Sequence, residues 1–292
     1  MSKIRICVDT ASDIDLKTAQ KYDIHLLPMT ITMQQKEYKE AYDFTKEEFY
    51  NLLPEGDEIP TTAQIPPFEF LDAIKKAYKD DVTDLIIVTI NAKASSTNNS
   101  AQLARKMFYN DMPDCKMKIT VVDTASYSYG YGYPVLAAAK MAKEGKSAEL
   151  ILNYLEDWFT RLEIYFTVFD LKYAKKSGRI GGAAAIAGEL LGIKPIMCLT
   201  GGDSVTAQKV RGIPKAMDVL CKIAEERIGA DKKYIVLHGK NDSKDFTKMA
   251  KDVLKEKMLE SVLIGPCIVV NAGPEVHGIA FLGEKRDQQV LY

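Results

Sequence analysis

Four loops rich in Ser and Thr are the chemically suggestive feature of the first half of the chain. They are Asp9-Thr10-Ala11-Ser12-Asp13, Thr61-Thr62-Ala63-Gln64, Ala94-Ser95-Ser96-Thr97 and Asp123-Thr124-Ala125-Ser126. Each follows an apolar, strand-like run, and the first and last repeat one another from Val8 to Ser12 and from Val122 to Ser126. Such residues cap helix N-termini, because their oxygens satisfy free amides of the first turn. A single cap needs one oxygen, whereas Ser95-Ser96-Thr97 offers three hydroxyls and Thr61-Thr62 offers two. Helix N-termini also attract anions, so hydroxyl and amide donors together suit a carboxylate or a phosphate. No obvious base accompanies them. The pattern reads as a holder of a polar head group more than a site that breaks bonds.

Other constellations are weaker. The chain lacks a G-x-S-x-G elbow, and its three histidines, His25, His238 and His277, are far apart in sequence. An acyl-directed serine hydrolase or transferase using Ser95 remains the alternative reading. Gly145-Lys146-Ser147 resembles the end of a phosphate loop, but Lys140 occupies the position of the required glycine. Gly130-Tyr131-Gly132 lacks the third glycine of a dinucleotide fingerprint. Asp9, Asp13 and Asp15 are read as caps rather than a calcium loop, because no Gly and bidentate Glu complete one. Ser177-Gly178-Arg179-Ile180-Gly181-Gly182 combines a flexible backbone with a forked donor, and Arg211 after Val210 invites the same reading.

The elements that must position these loops alternate. Ile4–Val8, Leu85–Ile90 and Ile119–Val122 read as buried strands. Helical spacing is expected over 15–22, 68–78, 97–108, 133–143 and 147–160, and Thr45-Lys46-Glu47-Glu48 has the capping-box pattern. Ile24–Met33 reads as extended chain interrupted by Pro28. This βαβ rhythm predicts a mainly parallel sheet, whose ligands bind beyond the carboxyl ends of the strands. After about residue 160 the rhythm changes. Strands are expected at 164–168, 193–199, 204–210, 234–238, 262–264, 267–270 and 279–282, with a hairpin turn at Gly201-Gly202-Asp203. Helices are expected at 181–191, 214–227 and 243–258. The expected fold is therefore α/β with two domains, 1–160 carrying the hydroxyl loops and 161–292 a mixed α/β domain.

At 292 residues the chain exceeds one ordinary core, and its apolar (47%) and charged (27%) fractions are those of a globular protein. A net charge of -1 gives no general attraction to nucleic acid. The five dispersed cysteines include no C-x-x-C pair, which argues against a zinc site or a disulfide frame. The start, Met1–Arg5, is too soon charged for a signal peptide, and no apolar stretch approaches the ~20 residues of a membrane span. A cytoplasmic protein is expected.

These segments together resemble the DegV family of bacterial fatty-acid-binding proteins. The likeness runs in order through Val8–Asp13, Thr61–Gln64, Ala94–Thr97 with Ser100-Ala101, and Val122–Ser126. It continues through Ser177–Ile180, Leu190–Ile196, Val210-Arg211, and Ala272-Gly273-Pro274 leading to Gly278–Phe281. The resemblance implies a carrier, not an enzyme, with one long-chain fatty acid between two α/β domains and no other cofactor. It places the carboxylate on Thr62 and Ser95. It offers Ser96, Asn271, Arg179 and Arg211 for head-group support or partner contact, and a fatty-acid kinase as a partner. This chain has Ala63 where the family usually has Ser, Ile65 where it has Pro, and Asn271 where many members carry His.

Overall fold

The computed structural model describes residues 3–53, 58–180, 192–240, 243–255 and 257–285. The described chain divides into two compact units. Residues 3–45 and 62–160 make the first, and 46–61 with 161–285 make the second.

The first unit is built on a parallel sheet in the order β2-β1-β6-β7, from Ile24–Leu27, Ile4–Asp9, Asp84–Thr89 and Lys118–Asp123. Three of its strands, β1, β6 and β7, are the β-branched runs read from the sequence, while the extended run expected over 24–33 divides around Pro28 into β2 and a strand of a second sheet. Buried on both faces, Cys7, Val8, Ile87, Val88, Val121 and Val122 are all at 0% exposure, as expected of a parallel sheet covered by helices. Helices α1 (Leu16–Tyr22), α3 (Pro67–Lys79), α4 (Thr97–Asp111), α5 (Tyr129–Lys143) and α6 (Ala148–Arg161) supply that cover. Helix α3 buries Phe70, Leu71, Ala73, Ile74 and Ala77, a helical stripe, and leaves Phe68 outside. A small sheet, β4-β3-β5, joins Lys36–Lys39, Thr30–Met33 and Thr61–Ala63, the last lying where the chain returns to the first unit. Thr61-Thr62 is thus a short strand rather than a loop. It pairs at the margin of a polar three-stranded sheet, where no apolar run announces it.

Two residues explain how α5 lies so close to the first loop. Pro134 has no amide to give to the carbonyl of Gly130, and the indole of Trp158 donates to that carbonyl instead at 3.1 Å. A Cβ on Gly132 would stand 2.0 Å from the carbonyl oxygen of Ser12, so only glycine admits this approach. The Gly130-Tyr131-Gly132 pattern is therefore a packing device. Gly145-Lys146-Ser147 likewise ends α5, with Gly145 left-handed at φ 76°, and starts α6, where Ser147 Oγ accepts from the Leu150 amide.

The second unit carries a six-stranded sheet in the order β10-β9-β8-β13-β11-β12. Its strands are Asp203–Arg211, Ile193–Thr200, Leu162–Val168, Val276–Leu282, Tyr234–His238 and Met258–Leu263. All neighbours are antiparallel except β11 and β12. Gly201 and Gly202, both at positive φ, turn β9 into β10. One face is covered by α8 (Ile213–Arg227) and α9 (Ser243–Leu254), with Tyr165, Leu220, Val236, Phe246, Ile279 and Phe281 in the core between them. The remaining described helices are α2 (Lys46–Leu52), α7 (Leu171–Ser177) and α10 (Pro266–Ala272). Residues 267–270, expected as a strand, belong to α10. Gly265 stands at its N-cap and Pro266 at its first turn, so the four-residue apolar run is one face of a short buried helix. The helix expected at 181–191 lies outside the described residues.

Candidate functional site

The carboxyl ends of β1, β6 and β7 come level, with Val8 paired to Val88 and Val88 to Val122. Three of the four hydroxyl loops leave from that line. The repeated Asp-Thr-Ala-Ser segments flank the middle strand and act on the loop that follows it. Asp9 Oδ2 accepts from the Ile90 amide at 2.7 Å, and Asp123 Oδ1 accepts from the Ala92 amide at 3.0 Å. Each aspartate ends an apolar strand, and together they fix the backbone just before Ser95. Asp9 also accepts from the Tyr131 hydroxyl at 2.5 Å. Burial pushes the Asp9 carboxyl up to about 6, against the opposing pull of Tyr131 and the Ile90 amide. Burial also raises Asp123, which the amides of Ala125 and Ala92 partly offset.

Most hydroxyls of these loops are occupied internally. Thr10 Oγ1 accepts from the Met29 amide at 2.9 Å and donates to the buried Glu40 carboxylate at 2.6 Å. Thr124 donates to the Thr89 carbonyl, and Ser128 donates to Asp13. Asp15 caps α1 by accepting from the Thr18 amide. Among the described residues no cluster of His, Cys, Asp and Glu has the arrangement of a metal site.

Ser95 and Ser96 divide their work differently from a simple reading of the sequence. Ser96 occupies the N-cap of α4 but makes no side-chain cap and is exposed. Ser95 takes over, accepting from the Thr97 amide at 3.3 Å and sharing a hydrogen bond with Thr97 Oγ1 at 2.8 Å. Thr62 is half-buried on β5, and among the described residues its hydroxyl has no hydrogen-bond partner. Two ties hold the segments around Thr62 and Ser95 in the same unit. Gln64 Nε2 donates to Ser100 Oγ at 3.3 Å, and Thr97 Oγ1 points at Met29 Sδ at 3.8 Å. Ser126 Oγ, on the neighbouring loop, is buried and unpartnered among the described residues. Its backbone carbonyl accepts from the Asn91 amide, which joins that loop to the one carrying Ser95.

The other three candidates lie in the second unit. Arg179 is exposed after α7, and its guanidinium folds back to donate to the Ser177 carbonyl at 2.7 Å. Gly178, at φ 67°, ends α7 and permits that turn. Asn271 is half-buried on α10 and donates to the Cys267 carbonyl at 2.7 Å. Ser177 Oγ joins the two, accepting from the Arg179 amide at 3.3 Å and donating to the Asn271 carbonyl at 3.5 Å. Arg211 is exposed at the end of the edge strand β10, opposite Ile193 at the start of β9.

Sequence reasoning passed over Glu40, and it named Thr97 only as one more loop hydroxyl and Tyr131 only within a glycine pattern, not as the partners that position the loops. The one local signal was an aspartate closing each of two apolar strands.

The sequence pattern of the family described as "Uncharacterised protein, DegV family" matches residues 3–284. The chain belongs to the DegV family. A DegV domain-containing protein of Clostridium perfringens is 31% identical, over 96% of this chain and 99% of its own length. The solved structure of a DegV family protein from Thermus thermophilus, described for its fatty acid binding, is similar at 29% identity with a TM-score of 0.82. That likeness covers 97% of this chain and all of the other. A fatty acid binding DegV family protein from Streptococcus agalactiae is 25% identical, with a TM-score of 0.82 over 98% of this chain and all of its own. The two-unit α/β architecture is thus a DegV architecture, and no helix among the described residues is long and apolar enough to cross a membrane.

Proposed function

We propose that this DegV protein binds a long-chain fatty acid and carries it without chemical change. The observation that carries this reading is the likeness, along essentially the whole chain, to the Thermus thermophilus protein described for fatty acid binding. In this reading Thr62 and Ser95 hold the carboxylate and the tail lies in an apolar tunnel. The Thr62 hydroxyl, without a hydrogen-bond partner among the described residues, supports the first assignment, because such a donor is available to a ligand. Ser95 keeps donor capacity through its shared bond with Thr97. Ser96, Asn271, Arg179 and Arg211 are the candidates for head-group support or partner contact.

The energetics fit a carrier. A tail of about fourteen methylenes contributes on the order of 11 kcal/mol gross, against an association cost of about 4–15 kcal/mol. Hydrogen bonds to a charged group add only about 1.5–3 kcal/mol each. The tail supplies affinity, and the hydroxyls set orientation and depth. A carboxylate held by neutral hydroxyls also stays accessible to a phosphoryl donor, which supports presentation of the acid to a fatty-acid kinase. The hydrolase alternative is disfavoured by Ser95 itself, whose hydrogen-bond partners are the amide and hydroxyl of Thr97 rather than a base. A cytoplasmic setting belongs to this reading, resting on an odd, dispersed set of five cysteines without a C-x-x-C pair.

The test is denaturation of the purified protein followed by mass spectrometry of what is released, then titration of the delipidated protein with long-chain acids. Recovery of intact fatty acid and saturable rebinding are expected. An acyl-free preparation that takes up no acid would overturn the proposal, and turnover of a chromogenic acyl ester would favour the hydrolase.

A further inference from the structure

A groove of about 400 Å³ opens between α9 and β12 in the second unit, lined by Lys244, Thr247, Lys248, Lys251 and Ser261. Its floor is fixed by the hydrogen bond between Thr247 Oγ1 and Ser261 Oγ at 2.9 Å. None of the three lysines has an acidic partner among the described residues. This contrasts with α8, where Lys215 and Lys222 both pair with Asp218. Asp245 and Asp252 are on the same helix but do not line the groove. Three uncompensated ammonium groups along one wall repel each other and gain most from an incoming anion.

The shape of the groove selects the class of anion. The lysines are four and three residues apart on a helix, so they step along the wall by about 6 and 4.5 Å. Same-face residues of an extended strand repeat every 6.6–6.8 Å or so. The pitches differ, but the row spans about 10.5 Å, longer than one compact ion covers and within the roughly 13 Å of two same-face repeats of an acidic strand, whose flexible carboxylate and ammonium arms can take up the difference. The other wall is a sheet edge. β12 is last in the strand order, and among the described residues no strand pairs with its outer side. Both edge strands carry a register irregularity, β10 between Thr206 and Gln208 and β12 at Leu259, so the regular stretch that β12 offers a pairing strand is Glu260–Leu263. Among the described residues the side-chain donors to this edge are at its far end, where Lys46 Nζ donates to the Leu263 carbonyl and Tyr50 OH to the carbonyl of Ile264 just beyond it.

We infer that the α9–β12 groove is a docking surface for a protein partner presenting an extended, acidic segment, which adds to the β12 edge and sets its carboxylates against Lys244, Lys248 and Lys251. This surface belongs to the second unit, and the inference does not rest on the fatty-acid reading.

The probe is a labelled seven-residue peptide alternating Glu and Thr, titrated into the full-length protein by fluorescence anisotropy at low salt. The expected result is saturable binding that weakens as salt is raised and that N-methylation of alternate peptide amides abolishes. Combined Lys244→Glu, Lys248→Glu and Lys251→Glu replacement should weaken it roughly tenfold or more. Circular dichroism checks that this variant is folded. If it is not, the Lys244→Gln, Lys248→Gln, Lys251→Gln protein must show the loss instead. No binding by the wild type, equal binding by the charge variants, or full retention by the N-methylated peptide would overturn the inference. So would displacement by inorganic phosphate at concentrations similar to the peptide's, which would mark a compact-anion site.

Discussion

Thr62 and Ser95 are assigned the same task on the ligand, yet the protein depends on them differently, and that difference can be measured. Thr62→Val is nearly isosteric, suits a strand, and removes a hydroxyl that has no partner among the described residues. Its effect on stability should stay within about 0.5 kcal/mol. Ser95→Ala removes the acceptor of the Thr97 amide and the partner of the buried Thr97 hydroxyl, and should cost about 1 kcal/mol or more. On binding, each variant loses one hydrogen bond to a carboxylate, about 1.5–3 kcal/mol, or roughly 10- to 150-fold in Kd. The double variant should fall short of the sum, because the two hydroxyls share one carboxylate. The tail is untouched. Titrating delipidated proteins with acids of graded length should give parallel lines of binding energy, with a slope near 0.8 kcal/mol per methylene. The variants should differ only in offset. A Thr62→Val line that coincides with the wild type would remove Thr62 from the site. A changed slope would show that the substitution altered the tunnel, not the head group. A large loss of stability in Thr62→Val would mean that its hydroxyl is structural after all.

Gly132→Ala should destabilise by about 2 kcal/mol in urea titrations, since overlap with the Ser12 carbonyl outweighs the gain in helix propensity; a stabilised protein would contradict the close approach of α5. Tyr131→Phe probes Asp9, whose carboxyl is raised by burial from 3.8 to about 6. An acid raised in this way favours the fold while protonated, below 3.8, and that advantage is lost as pH rises through about 6. Without the Tyr131 donor the ionised form is held less well, so the stability gap to wild type should widen by about 1–2 kcal/mol from pH 4 to 7; a pH-independent gap would refute this. Arg227→Met strips both donors from Glu163, which is 5% exposed and accepts from Nε at 2.7 Å and Nη2 at 3.0 Å. The loss should be roughly 2 kcal/mol, discounted because the Arg227 side chain is half exposed, and Glu163→Met in the same protein should recover much of it; no recovery would mean that packing rather than charge sets the cost.

The first unit was legible because its elements obey local rules. Ile4–Asp9, Asp84–Thr89 and Lys118–Asp123 are β-branched runs ended by polar residues, and α3 shows its buried stripe at helical spacing. The second unit was read less well where runs were short. Cys267–Val270 carries no usable period, and only the Gly265-Pro266 start distinguishes a helix there. Thr61–Ala63 pairs as a strand through a neighbour about thirty residues earlier, which no local signal reports. The hydroxyl loops were conspicuous, but their internal roles depend on distant partners. Thr10 meets Glu40 thirty residues on, and Asp9 meets Tyr131 at a separation of 122. From types alone, a hydroxyl spent on a carbonyl and one left over for a ligand look the same.

Helix α2 has an unusual position in the order of synthesis. It carries Phe49 and Tyr50, both buried, yet its partners in the second unit include the carbonyls of Leu263 and Ile264, and Lys46 reaches its own after an interval of 217 residues. At a translation rate of about 5–20 residues per second, that interval lasts roughly 10–40 s. Throughout it a nascent chain holds a short helix whose two aromatic side chains await burial and whose carbonyl partners at 263 and 264 are not yet made. The first unit is interrupted by this segment, so a growing chain must close its parallel sheet around an excursion still awaiting its destination. Completion of the second unit therefore retrieves a piece of polypeptide left behind long before.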